Sequence, residues 1–192
     1  MDLKVMHDDG GRKAPASSHT MVTPFDIDHT QYSSMTGLLQ VTAWCQRFVN
    51  NIKSSVRKNQ SKFQIPLRLT KLEIDEAKQK WEQCIQQHWY PGAIQSLKGM
   101  KFNSFCKQLG LELDINGIIR SGAHCDVQFI EPKLLPRDDH YTQLVIQKVH
   151  KENLHPDIHQ TLQMVRKEYW IPKGYQKVQM VLKCCKLCLN NN

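Results

Sequence analysis

The sequence predicts a mainly α-helical chain with a small β-hairpin element and a compact three-helix unit at its C-terminal end. Three observations carry this. Apolar residues recur at helical spacing in two long stretches of the first half. A single Asn116-Gly117 pair lies between short apolar alternations. From Asp138 onward, three short apolar-periodic segments follow one another, separated by Pro, Gly and capping residues.

The first long helix is expected from Ser33 to Val56. Leu38, Leu39, Val41, Trp44, Cys45, Phe48, Val49 and Ile52 repeat every three to four residues. Lys53, Arg57 and Lys58 near its C-terminal end suit the negative end of the helix dipole. Residues 1–30 are rich in Gly, Ser, Pro, Asp and His and have no period, so they are expected to be a disordered tail. The polar stretch 59–68, which contains Pro66, is expected to be a linker.

Thr70-Lys71-Leu72-Glu73 has the form of a capping box, in which hydroxyl and carboxylate exchange bonds with each other's amides. Leu72, Ala77, Trp81, Cys84, Ile85 and His88 then carry a second helix to Trp89, where Pro91-Gly92 breaks it. A shorter helix spans 92–98. Asn116-Gly117 predicts a type I′ hairpin turn with positive φ at both centres. Val127, Phe129 and Ile130 are expected to add a strand, bounded by Pro132 and Pro136, so that 111–136 is a small β element.

In the last third, Asp138 or Asp139 can cap a helix bearing Leu144, Val145 and Val149 that leads to His150. Asp157, with Gln160 three residues on, can cap a second helix with the stripe Ile158, Leu162, Val165 and Tyr169, ended by Pro172 and Gly174. A third helix with Val178, Val181 and Leu182 delivers Cys185.

That arrangement places His150-x4-His155 at the end of the first of these helices and Cys185-x2-Cys188 at the end of the third. Two imidazoles and two thiolates are a closed tetrahedral set for one structural zinc. Three short helices bury little core on their own, and a metal supplies folding energy that so small a unit lacks. His159 and Cys184 are rival ligands, since His155-x3-His159 is also an accepted spacing and Cys184 adjoins the pair. Cys184 is expected to face the helix core. Cys45, Cys84, Cys106 and Cys125 have no partner spacing and are expected to be small buried hydrophobes. Seven cysteines without a secretory apolar region argue for metal or free thiols over a disulfide framework.

Composition limits the remaining classes. Of 192 residues, 40 % are hydrophobic and 23 % charged, and no apolar run is long enough to span a bilayer. The net charge of +8 suits a polyanionic partner. Part of the excess is local, with nine Lys/Arg against three Asp/Glu between Arg47 and Lys80.

Residues His150 to Cys188 resemble the zinc-binding (HHCC, or H2C2) domain of retroviral-type and retrotransposon integrases. The likeness lies in His150-x4-His155, Thr161-Leu162, Arg166, Tyr169-Trp170 and Cys185-x2-Cys188, in that order. Upstream, YSSMTGLLQVTAWCQRFVNNIK, LTKLEIDEAKQKWEQCIQQHWY, DINGIIRSG and KLLPRDDHYTQLVIQKVH resemble successive segments of BEL/Pao-type LTR retrotransposon polyproteins. Asp157 stands where that family usually has Gly, and both cap a helix. Gly122-Ala123-His124 replaces the family's Gly-Gly-Arg.

The resemblance implies a polyprotein fragment. Residues 31–110 would be a helical linker region, and 137–192 an integrase-type domain with one structural zinc on His150, His155, Cys185 and Cys188. It implies partners such as DNA, further copies of the chain or other retroelement products. No membrane or small-molecule substrate is expected, and the resemblance implies an intracellular location, with the nucleus as a candidate. Lys148, Lys151, Arg166, Lys167, Lys173 and Lys177 are candidate phosphate contacts. Only 189–192 follow the cysteines, with no room for a carboxylate triad or reverse transcriptase, so the chain is expected to be a truncated fragment and not an enzyme. A domesticated DNA-binding or adaptor protein, or an active integrase with a shortened gene model, are the alternatives.

Overall fold

The structure, a computed structural model, describes residues 21–57, 67–99, 103–122 and 131–189. Several expectations lie outside these residues. They are the tail over 1–20, Lys58 at the end of the first helix, the linker residues 59–66 with Pro66, the strand at Val127, Phe129 and Ile130, and Ala123, His124 and Cys125.

Two 3-10 turns, Pro24–Asp26 and His29–Gln31, precede helix α1, Met35–Arg57. Ser34 opens α1 by accepting the Gly37 amide on its hydroxyl at 3.1 Å. Helix α2, Lys71–Trp89, starts on the expected capping box. Thr70 Oγ1 accepts the Glu73 amide, and the Glu73 carboxylate accepts the Thr70 amide at 2.8 Å. Pro91 ends α2 because it has no amide to continue the ladder, and for the same reason it sits comfortably in the first turn of α3, Pro91–Lys98. A short α4, Ser104–Gln108, capped by Asn103, was not foreseen.

Strands β1, Leu111–Leu113, and β2, Ile119–Ser121, form the expected hairpin. The turn differs from type I′, because only Gly117 has positive φ (74°). Gly117 N–H donates to Asp114 C=O, and Asp114 N–H donates to Ile118 C=O. The connection is therefore a three-residue loop with Gly117 in the left-handed position. Asp114 drives this choice. Its carboxylate accepts the amides of Asn116 and Ile118, each at 2.9 Å, and so sets the turn locally.

The remaining elements are β3, Lys133–Leu134; α5, His140–Glu152; α6, Ile158–Arg166; β4, Tyr169–Trp170; α7, Gly174–Leu182; and the single turn α8, Lys186–Leu189. Asp139, not Asp138, caps α5 through the Tyr141 amide at 2.7 Å. Asp157 caps α6 through the Gln160 amide at 2.8 Å. Tyr169 was expected on the stripe of α6 and instead lies in β4. Helix α6 tightens at its end, with Lys167 and Glu168 bonding three residues back. Tyr169-Trp170, with high strand propensity, then pairs in parallel with β3. The sheet order is β1-β2-β3-β4.

Helices α1, α2, α5, α6 and α7 share one apolar core that includes Leu38, Ala43, Trp81, Ile85, Tyr141, Leu144, Val165 and Val178. A smaller cluster of Ala93, Cys106, Leu111, Ile119 and Leu134 lies under the hairpin. Between them runs a buried polar face of α2. Gln86 donates to the carbonyls of Ile119 (2.9 Å) and Leu134 (2.8 Å) and accepts the Ile119 amide (2.7 Å). One side chain thus bonds β2 and β3 together. One turn earlier, the fully buried Glu82 accepts both the Lys133 ammonium (2.9 Å) and the Tyr169 hydroxyl (2.6 Å). Trp81 donates to Thr42 of α1 at 2.8 Å. Among the described residues, no helix is long and apolar enough to cross a membrane.

Replacing Gln86→Leu keeps the volume but leaves the buried Ile119 amide and two carbonyls without this partner. Urea unfolding is expected to show a loss of about 2–4 kcal/mol. A loss below about 1 kcal/mol would mean the sheet does not depend on Gln86.

Candidate metal centre

His150 lies in the last turn of α5, buried, with its ring turned toward the C-terminal end of the chain. Helix α5 stops at Glu152, and Leu154 and His155 follow with φ of 62° and 60°. Left-handed backbone at two successive non-glycine residues costs roughly 1–2 kcal/mol per residue. It is closed by the His155 amide donating to the His150 carbonyl at 2.9 Å. This reversal brings His155 back onto His150. Their rings meet edge to face, 4.7 Å between centroids.

Helix α7 brings the chain back to the same place. Beyond Leu182 the backbone makes two tight turns, with Cys184 N–H on Val181 and Cys185 N–H on Leu182. Cys185 then opens α8, and Cys188 follows within that turn. The four ligand atoms of His150, His155, Cys185 and Cys188 all lie within 4.8 Å of one another. His155 Nδ1 is 3.1 Å from His150 Nε2 and 3.3 Å from Cys185 Sγ, and His150 Nε2 is 3.2 Å from Cys188 Sγ. A tetrahedral zinc with Zn–N near 2.0–2.1 Å and Zn–S near 2.3 Å has ligand–ligand edges of roughly 3.3–3.8 Å. The donors fit that ion. They would fill all four positions, leaving none for a reactive water.

Electrostatics prepare the donors. Burial, and next the neighbouring His155, holds the His150 imidazole below its ordinary value, so it stays neutral and able to ligate. Burial pushes the Cys185 thiol up. The amide of Cys188, its side chain and the amide of Leu187 outweigh that and hold it below the usual thiol range. Burial, hydrogen bonding with Cys185 and then the charge on Cys185 push Cys188 up. A metal cation would draw the protons from both thiols.

Thr161, buried on α6, supports the site from outside. Its hydroxyl lies 3.4 Å from His150 Nδ1 and 3.3 Å from the Pro156 carbonyl. Donating to Pro156 leaves it free to accept from Nδ1–H, which directs the lone pair of Nε2 to the metal position. The Thr161-Leu162 pair marks the motif in sequence, but nothing in sequence assigns Thr161 this role.

The rival ligands are elsewhere. His159 is exposed on α6, its ring 5.1 Å from that of Tyr175. Cys184 is exposed and does not face the helix core as expected, because α7 has already ended at Leu182. Among the other cysteines, Cys106 is buried as expected, while Cys45 and Cys84 are only half-buried. Burial pushes the Cys84 thiol up to about 11.

The basic candidates are spread over the same unit. Lys151, Arg166, Lys167 and Lys173 are exposed, with Arg166 stacked on Trp170 at 5.3 Å. Lys148 is half-buried and 3.9 Å from Glu152. Lys177, at 7 % exposure, lies within the packed face of α7, and burial lowers its affinity for a proton.

Metal analysis of purified protein is expected to give one zinc per chain, with helical circular dichroism from the last third lost on chelation. Cys188→Ser should remove the zinc and Cys184→Ser should keep it. The reverse result would assign the wrong thiol. Thr161→Val should keep the fold but weaken zinc binding about 10–100-fold in a competition with a chromogenic chelator. Unchanged affinity would leave Thr161 with a packing role only.

Residues 137–192 match the family described as integrase zinc binding domain. No curated protein and no solved structure matches the chain. Residues 137–192 thus carry an integrase-type zinc-binding domain, and within it His150, His155, Cys185 and Cys188 converge as a set that could hold one zinc ion.

Proposed function

We propose that this domain is a zinc-stabilised scaffold that contacts DNA and takes part in integration, within a BEL/Pao-type retrotransposon polyprotein. The observation that carries the reading is the closed set of four converging donors. Such a set stabilises an arrangement of helices and performs no chemistry of its own. What it holds in place is α5, α6 and α7 with Lys151, Lys167 and Lys173 exposed on their ends and turns. Phosphate contacts from such side chains position a protein on nucleic acid without reading sequence. The order of the four upstream segments named above supports the retrotransposon context.

The test is duplex binding by the zinc-loaded chain, followed by fluorescence anisotropy across a series of KCl concentrations. Affinity is expected to fall steeply with salt, and each of Lys151→Ala and Lys167→Ala should reduce the logarithmic slope by about 1. Lys177→Met should leave the slope unchanged. Absence of duplex binding at low salt would remove the DNA role while leaving the zinc site intact.

A further inference from the structure

Helix α2 grips the zinc-binding segment at two separate places, and both bear on His150. Its Trp89 indole donates to Asp139, the cap of α5, at 2.8 Å. Its Trp81 ring stacks on Tyr141 in the first turn of α5, 6.4 Å between centroids. At its other end, the same helix presents His150. Glu82, also on α2, accepts the Tyr169 hydroxyl at 2.6 Å, just beyond the end of α6. Toward its other end, α6 presents Thr161, whose hydroxyl lies 3.4 Å from His150 Nδ1. One helix thus holds the far ends of two others, and the near ends of those two meet beside the metal position. Helix α2 lies outside residues 137–192, the part that matches the family.

We infer that Glu82 is a positioning residue for the zinc centre. By holding Tyr169 it fixes where α6 stands along α5, and so keeps the Thr161 hydroxyl on the His150 imidazole. Helix α6 has 9 residues, a hydrogen-bonded rod of roughly 13 Å. The Lys167 and Glu168 amides bond back to the carbonyls of Met164 and Val165 at 3.3 and 3.1 Å, which carries the rod to Tyr169 without a loose joint. Such a rod does not stretch, so a shift at Tyr169 becomes a shift at Thr161. The contact at Thr161 has no slack to absorb it. At 3.4 Å it is already long for a hydrogen bond, and a displacement of roughly half an ångström parts it. Water cannot stand in for the bond at the other end, because Glu82 and Tyr169 are 0 % and 3 % exposed.

The link can be cut without leaving a buried charge alone. Both oxygens of Glu82 also accept the Lys133 ammonium, at 3.0 and 2.9 Å, so loss of the Tyr169 hydroxyl leaves the carboxylate paired. The ring of residue 169 keeps the ammonium groups of Lys78 and Lys133 over its face, 5.4 and 5.8 Å from its centroid. Strand β4 also keeps its pairing with β3. What disappears is the one bond that ties the end of α6 directly to α2. The inference rests on the zinc centre described above and does not depend on DNA binding.

Zinc competition with a chromogenic chelator, run on the full chain beside thermal melts, tests the inference. Tyr169→Phe should weaken zinc binding about three- to tenfold, less than the loss expected at Thr161, which touches the ligand itself. Adding Tyr169→Phe to Thr161→Val should weaken binding no further, because the two residues act on His150 in series. Glu82→Leu with Tyr169→Phe removes both partners of the buried bond. This double variant should melt above Glu82→Leu alone, since no hydroxyl is left unpaired, yet bind zinc as weakly as Tyr169→Phe. Unchanged zinc affinity in Tyr169→Phe would overturn the inference. So would additive losses at Thr161 and Tyr169. A double variant whose zinc affinity returns as its melting temperature rises would also overturn it, since Glu82 would then act through stability alone. A wild-type chain that takes up no zinc would remove the metal centre and the inference with it.

Discussion

The buried polar face of α2 is the constraint on which the rest of the structure depends. Glu82 and Gln86 lie one turn apart on a helix side that also carries Trp81 and Ile85. A buried carboxylate and a buried amide are costly unless every lone pair and proton finds a partner. Here those partners come from distant elements. Gln86 takes its own from β2 and β3, and Glu82 from Lys133 of β3 and Tyr169 of β4. Satisfying these two side chains therefore specifies where the sheet stands against the helices. It also links the zinc-binding segment to upstream elements, since Tyr169 belongs to the former and α2 to the latter. Glu168, bridging Lys78 and Lys133, extends the same link to the surface.

The metal centre answers a different demand. Four donors from two separated segments must meet at tetrahedral spacing. His150 arrives on a helix that packs well without metal. His155 does not, since its backbone and that of Leu154 occupy the left-handed region. Leu154 is also 90 % exposed, so its side chain contributes no burial to offset that conformation. Such backbone persists when surroundings over-determine it, and coordination is one such determinant. On the cysteine side, the amides at the start of α8 draw charge onto Cys185 before any cation arrives. One side of the site is thus held by strain and the other is preset by dipoles.

Asp139 plays a comparable part at the opposite end of α5. It caps the helix, accepts from Trp89 at 2.8 Å and meets His29 at 3.1 Å. Burial raises its carboxyl, and the His29 contact, the Trp89 indole and the Tyr141 amide outweigh that and hold it below the usual range. The segment before α1 is thereby tied to the start of the zinc-binding domain. Local capping signals and long-range contacts converge on a single carboxylate.

Local chemistry was legible in the sequence. The capping box at Thr70-Glu73, the Asp157 cap, the hairpin and the two ligand pairs, His150-x4-His155 and Cys185-x2-Cys188, each rest on residues a few positions apart. Propensity, capping and ligand spacing act over that range. Three-dimensional packing decided the rest. It placed Tyr169 in a strand, because an open sheet edge offered its backbone partners. It chose Asp139 over Asp138, set Cys184 outside and Lys177 inside, and let Asp114 override the turn expected from Asn116-Gly117. It also showed which apolar residues of α1 the core does not need. A period identifies an apolar face, but only the neighbours present in the fold determine how much of that face is covered. The sequence by itself therefore determined where helices start and which residues can hold zinc. The tertiary structure decided which of the candidates meet, because that depends on contacts between segments far apart in the chain.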